Sequence, residues 1–134
     1  MPLPIESIMT KSAPQPAGHY SQATRANGFI FVSGQLPVNA EGVPQFMIGF
    51  EEQVELALSN IKEILTAART DTDHLARVTA YIVGVENWPK FNAVYAKFLP
   101  EVRPARTVVP VTELHHGCLV EIDAIALESS NIDE

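Results

Sequence analysis

One arginine stands inside a segment that otherwise has the composition of a buried strand. Arg106 lies in the run 104–111, which is short, β-branched and apolar, with a proline near each end. A guanidinium does not lose its charge, and burying one without a partner costs several kcal/mol. We therefore expect Arg106 to meet a carboxylate, which belongs either to the protein or to a bound acid. The second alternative predicts a protein that handles small acids.

Two acids stand two residues apart in the last strand that the pattern predicts. Because strand side chains alternate, Glu121 and Asp123 point to the same side, about 6–7 Å apart. The structural alternative is that one acid pairs with Arg106 or Arg103 and the other lies at an interface. The functional alternative is that one acid orients or deprotonates a water. The like charge beside it would then raise its pKa, which suits proton transfer.

Small and polar residues supply three further candidates. Ser33 and Gly34 interrupt the end of an apolar strand, where Gly34 either turns the chain or lets backbone N–H groups approach a ligand. The Ser33 hydroxyl either satisfies a backbone group or lies beside that ligand. No G-x-S-x-G elbow surrounds Ser33, which disfavours a serine hydrolase. Asn92 follows Trp88 by one helical turn and is either structural or a pocket residue.

Composition narrows the classes of function. With 16 acidic and 9 basic side chains, the net charge is −7, and no Lys/Arg cluster favours binding to nucleic acid. The apolar runs are shorter than the ~20 residues of a membrane span, and the first residues do not resemble a signal peptide. We therefore expect a cytoplasmic protein that does not enter the membrane. The single Cys118 excludes an internal disulfide and is expected to be an inert core thiol. The histidines lack the spacing of a metal site, because the adjacent His115 and His116 are expected to diverge in an extended chain and His19 and His74 lie in separate loops.

The remaining pattern predicts the elements that position these residues. Apolar positions recur at helical spacing from Phe50 to about Ala68, and Asn87 is expected to cap a second helix that ends before Pro100. The dipeptide Asn27-Gly28 predicts a hairpin turn that leads into a strand. The predicted strands are 28–33, 75–85, 105–111 and 118–127. The prediction is a single domain over 1–134, with residues 129–134 as a flexible tail.

This order of elements predicts an α+β fold with both helices on one face of a sheet. Two helices cover only one face, so the other face needs a different cover. Its predicted apolar side chains include Phe31, Ile82 and Val109, which would not remain in water. Association with further copies of the chain through this face is the simplest solution, and an active site would then lie between subunits.

Five short motifs, in order and with compatible spacing, resemble the YjgF family, also called Rid (reactive intermediate deaminase) or L-PSP endoribonuclease-like. They are 16–23, 31–37, 91–95, 104–106 and 121–126, and the resemblance covers nearly the whole chain. It implies a chorismate-mutase-like α+β fold that forms a homotrimer with clefts between subunits. It also implies hydrolysis of reactive enamines and imines, such as 2-aminoacrylate and its 2-imino tautomer, to 2-keto acids and ammonia, without cofactor or metal.

The resemblance also assigns roles to individual residues. Arg106 would clamp the substrate carboxylate with a bidentate, charge-assisted contact, and Asp123 would position the attacking water. The family's usual last-strand glutamate falls at Asp123, whose side chain is shorter by about 1.5 Å. This departure implies an extra water or a bulkier substrate. The expected substrate-binding residues are Tyr20, Ser33, Gly34, Asn92, Val108 and Glu121, with Val108 contributing only its backbone because the family's frequent cysteine is absent there.

Three alternative functions remain at this point. A deaminase with a specialised catabolic substrate, such as 2-aminomuconate, would fit the shortened acid. A trimer that binds a metabolite without turnover would use the same cleft. The third alternative is an endoribonuclease or translation inhibitor, an activity that the family's name also includes. The net charge of −7 and the missing basic patch argue against this alternative.

Overall fold

Six strands and two α-helices make up the fold in the computed structural model, which describes residues 4–129. The strands are β1 Glu6–Ile8, β2 Ala23–Ala26, β3 Phe29–Gln35, β4 Leu75–Val83, β5 Ala105–Val111 and β6 Val120–Leu127. The helices are α1 Phe50–Ala67 and α2 Trp88–Phe98, and short 3₁₀ turns precede β4, α2 and β6. None of the helices in this part of the chain is long and apolar enough to cross a membrane.

The strands form one mixed sheet in the order β1-β2-β3-β6-β4-β5. Each of the units β3-α1-β4 and β4-α2-β5 returns through a helix, so these strands run in the same direction. Because β6 lies between β3 and β4 and is antiparallel to both, β4 and β5 are the only neighbouring strands of this sheet that are parallel. The β2–β3 hairpin turns at Asn27 and Gly28, whose φ angles are +52° and +84°. The predicted hairpin is therefore confirmed, and its Asn-Gly sequence suits the left-handed conformation of both residues.

Both helices pack on the same face of the sheet, as the pattern predicts. Helix α1 buries the positions that recur at helical spacing, including Phe50, Val54, Leu58, Ile61 and Leu65. They meet alternate residues of the sheet, which are fully or almost fully buried. The α+β class and the two helices are therefore confirmed, while the short edge strand β1 was not predicted.

The opposite face of the sheet carries no helix within residues 4–129. Phe31 is 42% exposed on this face, and Val109 is partly exposed. Ile82 was predicted to lie there as well, and that prediction is wrong, since its side chain is 0% exposed. Val78, Ala80 and Ile82 share one side of β4, and that side faces the helices.

Two smaller expectations concern the start of α2 and the C-terminal tail. Asn87 immediately precedes α2, but its side-chain Nδ2 donates to the Val83 carbonyl at 2.9 Å and makes no capping bond to the helix. The expected cap is therefore wrong, and the first turn of α2 contains Pro89, a position where proline is tolerated. Of the predicted tail, only Ser129 lies within the described residues, and it is buried.

Candidate functional site

A cavity of about 280 Å³ opens beside β3 and β6. Three of the expected site residues, Tyr20, Gly34 and Glu121, line this cavity. The other lining residues come from the end of β3, the 3₁₀ turn before β6 and the loops around the cavity: Pro14, Gln15, Ala17, Gln22, Gln35, Leu36, Val38, Gly42, Pro44, His115 and His116. We call this site the Glu121 cavity.

Gly34 makes room for the Glu121 carboxyl group. A Cβ at Gly34 would lie 2.8 Å from Glu121 Oε2, which is closer than real Cβ atoms approach other atoms. The register of β3 against β6 is irregular between Val32 and Gln35, so Gly34 stands at a local distortion of the sheet. The glycine therefore acts by admitting a side chain from the neighbouring strand.

The Glu121 carboxyl is biased toward its protonated form. Burial raises its pKa, the nearby Asp123 raises it further, and His115 acts in the opposite direction. Glu121 and Asp123 are both half-buried on the uncovered face of β6, as the alternation predicts. Their like-charge coupling therefore adds to the desolvation that already favours the neutral acid.

Asp123 occupies a different environment from Glu121. Burial raises its pKa, while the Arg77 charge and a hydrogen bond from Tyr81 lower it. Across the sheet Asp123 pairs with Thr79, and it does not line the Glu121 cavity. The family resemblance predicts Asp123 as the catalytic acid and a binding role for Glu121, whereas the cavity contains Glu121.

Arg106 lies on the edge strand β5, and its side chain is held against α2. Its Nη1 donates to Asn92 Oδ1 at 2.9 Å. Its Cζ lies 5.0 Å from the Tyr95 ring centroid and 5.8 Å from that of Phe91. These two rings stack with centroids 5.5 Å apart, so they form a continuous aromatic surface beneath the guanidinium. We call these four residues the Arg106 platform.

No acidic side chain within residues 4–129 forms an ion pair with Arg106. The expected internal partners, Glu121 and Asp123, lie on β6, which is separated from β5 by β4. They also project from the uncovered face, whereas Arg106 contacts the helical layer. The internal ion pair is therefore not formed within the chain, and the guanidinium has N–H groups available for another acceptor.

The remaining expected residues have mainly structural contacts. Ser33 Oγ donates to the Ser21 carbonyl at 2.7 Å, so its hydroxyl satisfies a backbone group, as the structural alternative predicts. Val108 is 9% exposed, and its side chain belongs to the core. Asn92 accepts from Arg106, so it orients the candidate clamp. Cys118 is buried, and burial raises its pKa, as expected of an inert core thiol.

The sequence did not predict the histidines of the Glu121 cavity. His115 and His116 were expected to diverge, because neighbouring residues of an extended chain point apart. That expectation is wrong, since a 3₁₀ turn and a left-handed His116, with φ of +61°, bring the ring centroids to 3.8 Å. The following Gly117, in a polar turn before an apolar strand, was the available signal. No group of three metal-binding side chains occurs in the described part of the chain.

Comparison with known proteins agrees with the motifs. The model of the family described as Endoribonuclease L-PSP matches residues 10–128. A RutC family protein of Pyrococcus horikoshii is 39% identical over 121 residues, covering 90% of this chain and 96% of that protein. The crystal structure of yeast Mmf1 superimposes with a TM-score of 0.90 at 34% identity, covering 93% of this chain and 99% of Mmf1.

A solved structure with a ligand in its description is also similar. E. coli TdcF with bound serine superimposes with a TM-score of 0.85 at 31% identity, covering 92% of this chain and 99% of TdcF. The family model spans most of the chain, and the P. horikoshii relative agrees with it in sequence. The chain therefore belongs to the endoribonuclease L-PSP family, the YjgF/RutC or Rid family that its motifs resemble.

Proposed function

We propose that this protein is a cytoplasmic, cofactor-independent deaminase that hydrolyses reactive enamines and imines of the 2-aminoacrylate and 2-iminopropanoate type. The products are 2-keto acids and ammonia. The observation that carries the proposal is the state of Arg106, which is oriented by neighbouring side chains and has no carboxylate partner within residues 4–129. Such a group is suited to hold the carboxylate of a substrate.

The Arg106 platform is arranged for planar recognition. The guanidinium lies over the Tyr95 and Phe91 rings, and Asn92 accepts a hydrogen bond from one of its five N–H donors, so its position is defined before a ligand binds. The remaining donors can meet a carboxylate in the bidentate geometry that favours arginine over lysine. Orientation before binding reduces the entropy lost when the substrate carboxylate is held.

Glu121 is the acid that we assign to the chemistry. Its raised pKa allows it to donate a proton to C3 of the enamine, which converts the C2–C3 double bond into an iminium ion. Water then adds to C2 while the Glu121 carboxylate accepts a proton from it. Glu121 then donates this proton to the nitrogen of the resulting carbinolamine. The C–N bond breaks, ammonia leaves, and the hydroxyl proton passes back to the Glu121 carboxylate as the 2-keto acid forms. The protein's acid is thereby restored.

The two parts of this site are separated within one chain, and we propose that they meet between subunits of a homotrimer. Arg106 lies at the β5 edge, whereas Glu121 lies two strands inward on the uncovered face. The exposed Phe31 on that face is consistent with cover by another copy. The bound serine in the relative TdcF, a small amino acid with a carboxylate, supports a ligand of this class.

The Arg106→Ala variant tests the proposal. We expect at least about a 100-fold loss in kcat/KM for 2-iminopropanoate, because the substrate loses its charge-assisted anchor. The imine is generated by an amino-acid oxidase, and its loss is measured above the spontaneous rate. Arg103→Ala is the matched control, because Arg103 is exposed two residues before β5. Sedimentation should show the same assembly for both variants.

Two results would contradict this assignment. Unchanged turnover in Arg106→Ala would exclude Arg106 as the carboxylate anchor. Loss of the assembly with normal folding of the chain would instead assign Arg106 to the subunit interface. Absence of turnover in the unmodified protein, with both 2-iminopropanoate and 2-aminomuconate, would exclude the deaminase class.

The name of the matching family model favours a second candidate, an endoribonuclease. The net charge of −7 opposes the approach of a polyanion, so we rank this function below the deaminase. Cleavage of single-stranded RNA that persists in Arg106→Ala and is lost after substitution of Lys62, Lys90 and Lys97 would favour it.

A further inference from the structure

The Glu121 cavity contains a pair of imidazoles that the proposed hydrolysis does not use. His115 and His116 line it together with Tyr20 and Glu121, and no lysine or arginine among residues 4–129 does so. Within the described part of the chain, the two histidines are therefore the only lining side chains that can carry a positive charge. A ligand group that recognises this end of the cavity must be an acceptor of imidazole N–H bonds, and an anion is the strongest acceptor.

The local backbone brings these two rings together. The Gly117 amide donates to the Leu114 carbonyl at 3.3 Å, and the Cys118 amide donates to the His115 carbonyl at 3.2 Å. His116 adopts the left-handed conformation with φ of +61°, which few residues other than glycine, asparagine and aspartate enter readily. The consequence is a ring separation of 3.8 Å between centroids. Two donors of this kind can converge on one acceptor group.

The nitrogens of both rings are available to a ligand. Neither His115 nor His116 makes a side-chain hydrogen bond or ion pair within residues 4–129. His74 differs, because its Nδ1 lies 2.6 Å from Asp71 Oδ1. Both rings of the cavity pair are exposed, so a bound molecule can approach them.

The wall of the cavity limits which part of a ligand can lie between Glu121 and the two imidazoles. Several lining residues are apolar: Ala17, Leu36, Val38 and Pro44. The Gln22 amide is already occupied, since its Nε2 donates to backbone carbonyls and its Oε1 accepts from the Thr10 amide. A short hydrocarbon segment fits this wall, with an acceptor at its far end.

We propose that His115 and His116 form a subsite for a second, distal carboxylate, so that the preferred substrates are imines of dicarboxylic amino acids. The reacting carbon would lie beside Glu121, and the distal carboxylate would accept N–H bonds from the imidazoles. The location of the reacting carbon rests on the proposed deaminase function. The affinity for a diacid does not, because it can be measured without turnover.

Binding of stable 2-keto acids to the full chain tests this subsite. We expect 2-oxoglutarate to bind about tenfold more tightly than 2-oxopentanoate, which has the same carbon chain without the distal carboxylate. In the double variant His115→Gln, His116→Asn the ratio should fall to about one, with 2-oxopentanoate unaffected. Asparagine is chosen at 116 because it tolerates a positive φ. His74→Gln is the control, which should keep the full preference.

Calorimetry gives the dissociation constants, and circular dichroism checks that each variant folds. Equal affinity for the two keto acids, a preference that survives the double variant, or binding of neither acid would each overturn the subsite. The deaminase proposal is tested separately by turnover of both 2-iminopropanoate and 2-aminomuconate. A preserved diacid preference without any turnover would overturn the enzyme function and leave the subsite standing.

Discussion

The Arg106 platform and the Glu121 cavity have opposite effects on the charge of the ionisable group that each contains. At the platform, a permanent cation is held in place by an amide and two aromatic rings. In the cavity, burial and a neighbouring carboxylate raise the pKa of an acid, so that it can exchange a proton. The first environment suits binding, because it preserves charge, and the second suits chemistry, because it makes charge easy to change.

The two sites also differ in how the fold positions them. Arg106 contacts α2, and this helix is anchored in the core by the fully buried side chain of Phe91. Glu121 depends on the absence of a side chain at Gly34 on the adjacent strand. A perturbation of the platform should therefore affect substrate binding first, whereas a perturbation of the cavity should affect the chemical step first.

The largest expected effect is that of Glu121→Gln. An amide cannot exchange the proton, so kcat for imine hydrolysis should fall by about 10²- to 10⁴-fold, the usual contribution of a general acid or base. Asp123→Asn should reduce kcat by less than about tenfold, because Asp123 lies outside the cavity beside Arg77. Steady-state kinetics on the same in situ imine compares the two variants.

This pair of variants also decides between the two acids of β6. A larger loss in Asp123→Asn than in Glu121→Gln would restore Asp123 as the catalytic acid, as the family resemblance assigns it. Glu113→Gln, at an exposed position before β6, controls for the change in net charge.

An intermediate effect is expected for Gly34→Ala. The new methyl group would lie 2.8 Å from Glu121 Oε2, so the carboxyl must move away. A displacement of about 1 Å at a reacting group costs roughly 10- to 100-fold in kcat. Thermal unfolding should change little, because the group that must move is the end of a flexible side chain.

Gly49→Ala is the matched control for this glycine. A Cβ at Gly49 would make only an ordinary contact, 3.7 Å from Glu52 Oε1, and neither glycine has a positive φ. Normal kcat in Gly34→Ala would show that the close approach of Glu121 to β3 is not needed for activity.

The smallest effect is expected for Tyr95→Phe, which tests the platform. The Tyr95 hydroxyl is buried without a hydrogen-bond partner in the described residues, and burial raises its pKa. Removing it should leave kcat/KM within about twofold and leave stability unchanged or raise it by about 1 kcal/mol, because a desolvated polar group is lost while the ring remains. Chemical denaturation and imine kinetics measure both quantities.

Tyr95→Leu provides the contrast, since it removes the ring that stacks under Arg106. We expect KM to rise in this variant, with a loss of stability of roughly 1–3 kcal/mol. A loss of more than about tenfold in kcat/KM for Tyr95→Phe would instead mean that the hydroxyl contacts the substrate.

Sequence patterns predicted the elements well where a local signal was strong. The helical spacing of α1, the Asn-Gly turn and the alternation of β6 all depend on neighbours in the chain, and all three are confirmed. Ile82 was assigned to the wrong face because alternation says which residues share a face and does not say which face the helices cover. The Asn87 cap failed because its amide found a competing backbone carbonyl.

In the candidate site, too, the features with a local signal were predicted and those that depend on distant contacts were not. The sequence singled out Arg106, Gly34 and the two acids, because their types are unusual in apolar strands. It could not distinguish Glu121 from Asp123, since residues two apart on a strand face the same way and have nearly the same neighbours. It also missed the approach of His115 to His116, which depends on a left-handed residue in a turn.

By itself, the sequence determined the α+β class, the family and the set of residues able to do chemistry, because periodicity and residue type act locally. Only the tertiary structure decided which of these residues meet. In the folded chain, Arg106 lies away from both acids and contacts an aromatic surface, whereas Glu121 occupies the space beside Gly34. These outcomes depend on contacts between segments far apart in the chain, and no local pattern specifies such contacts.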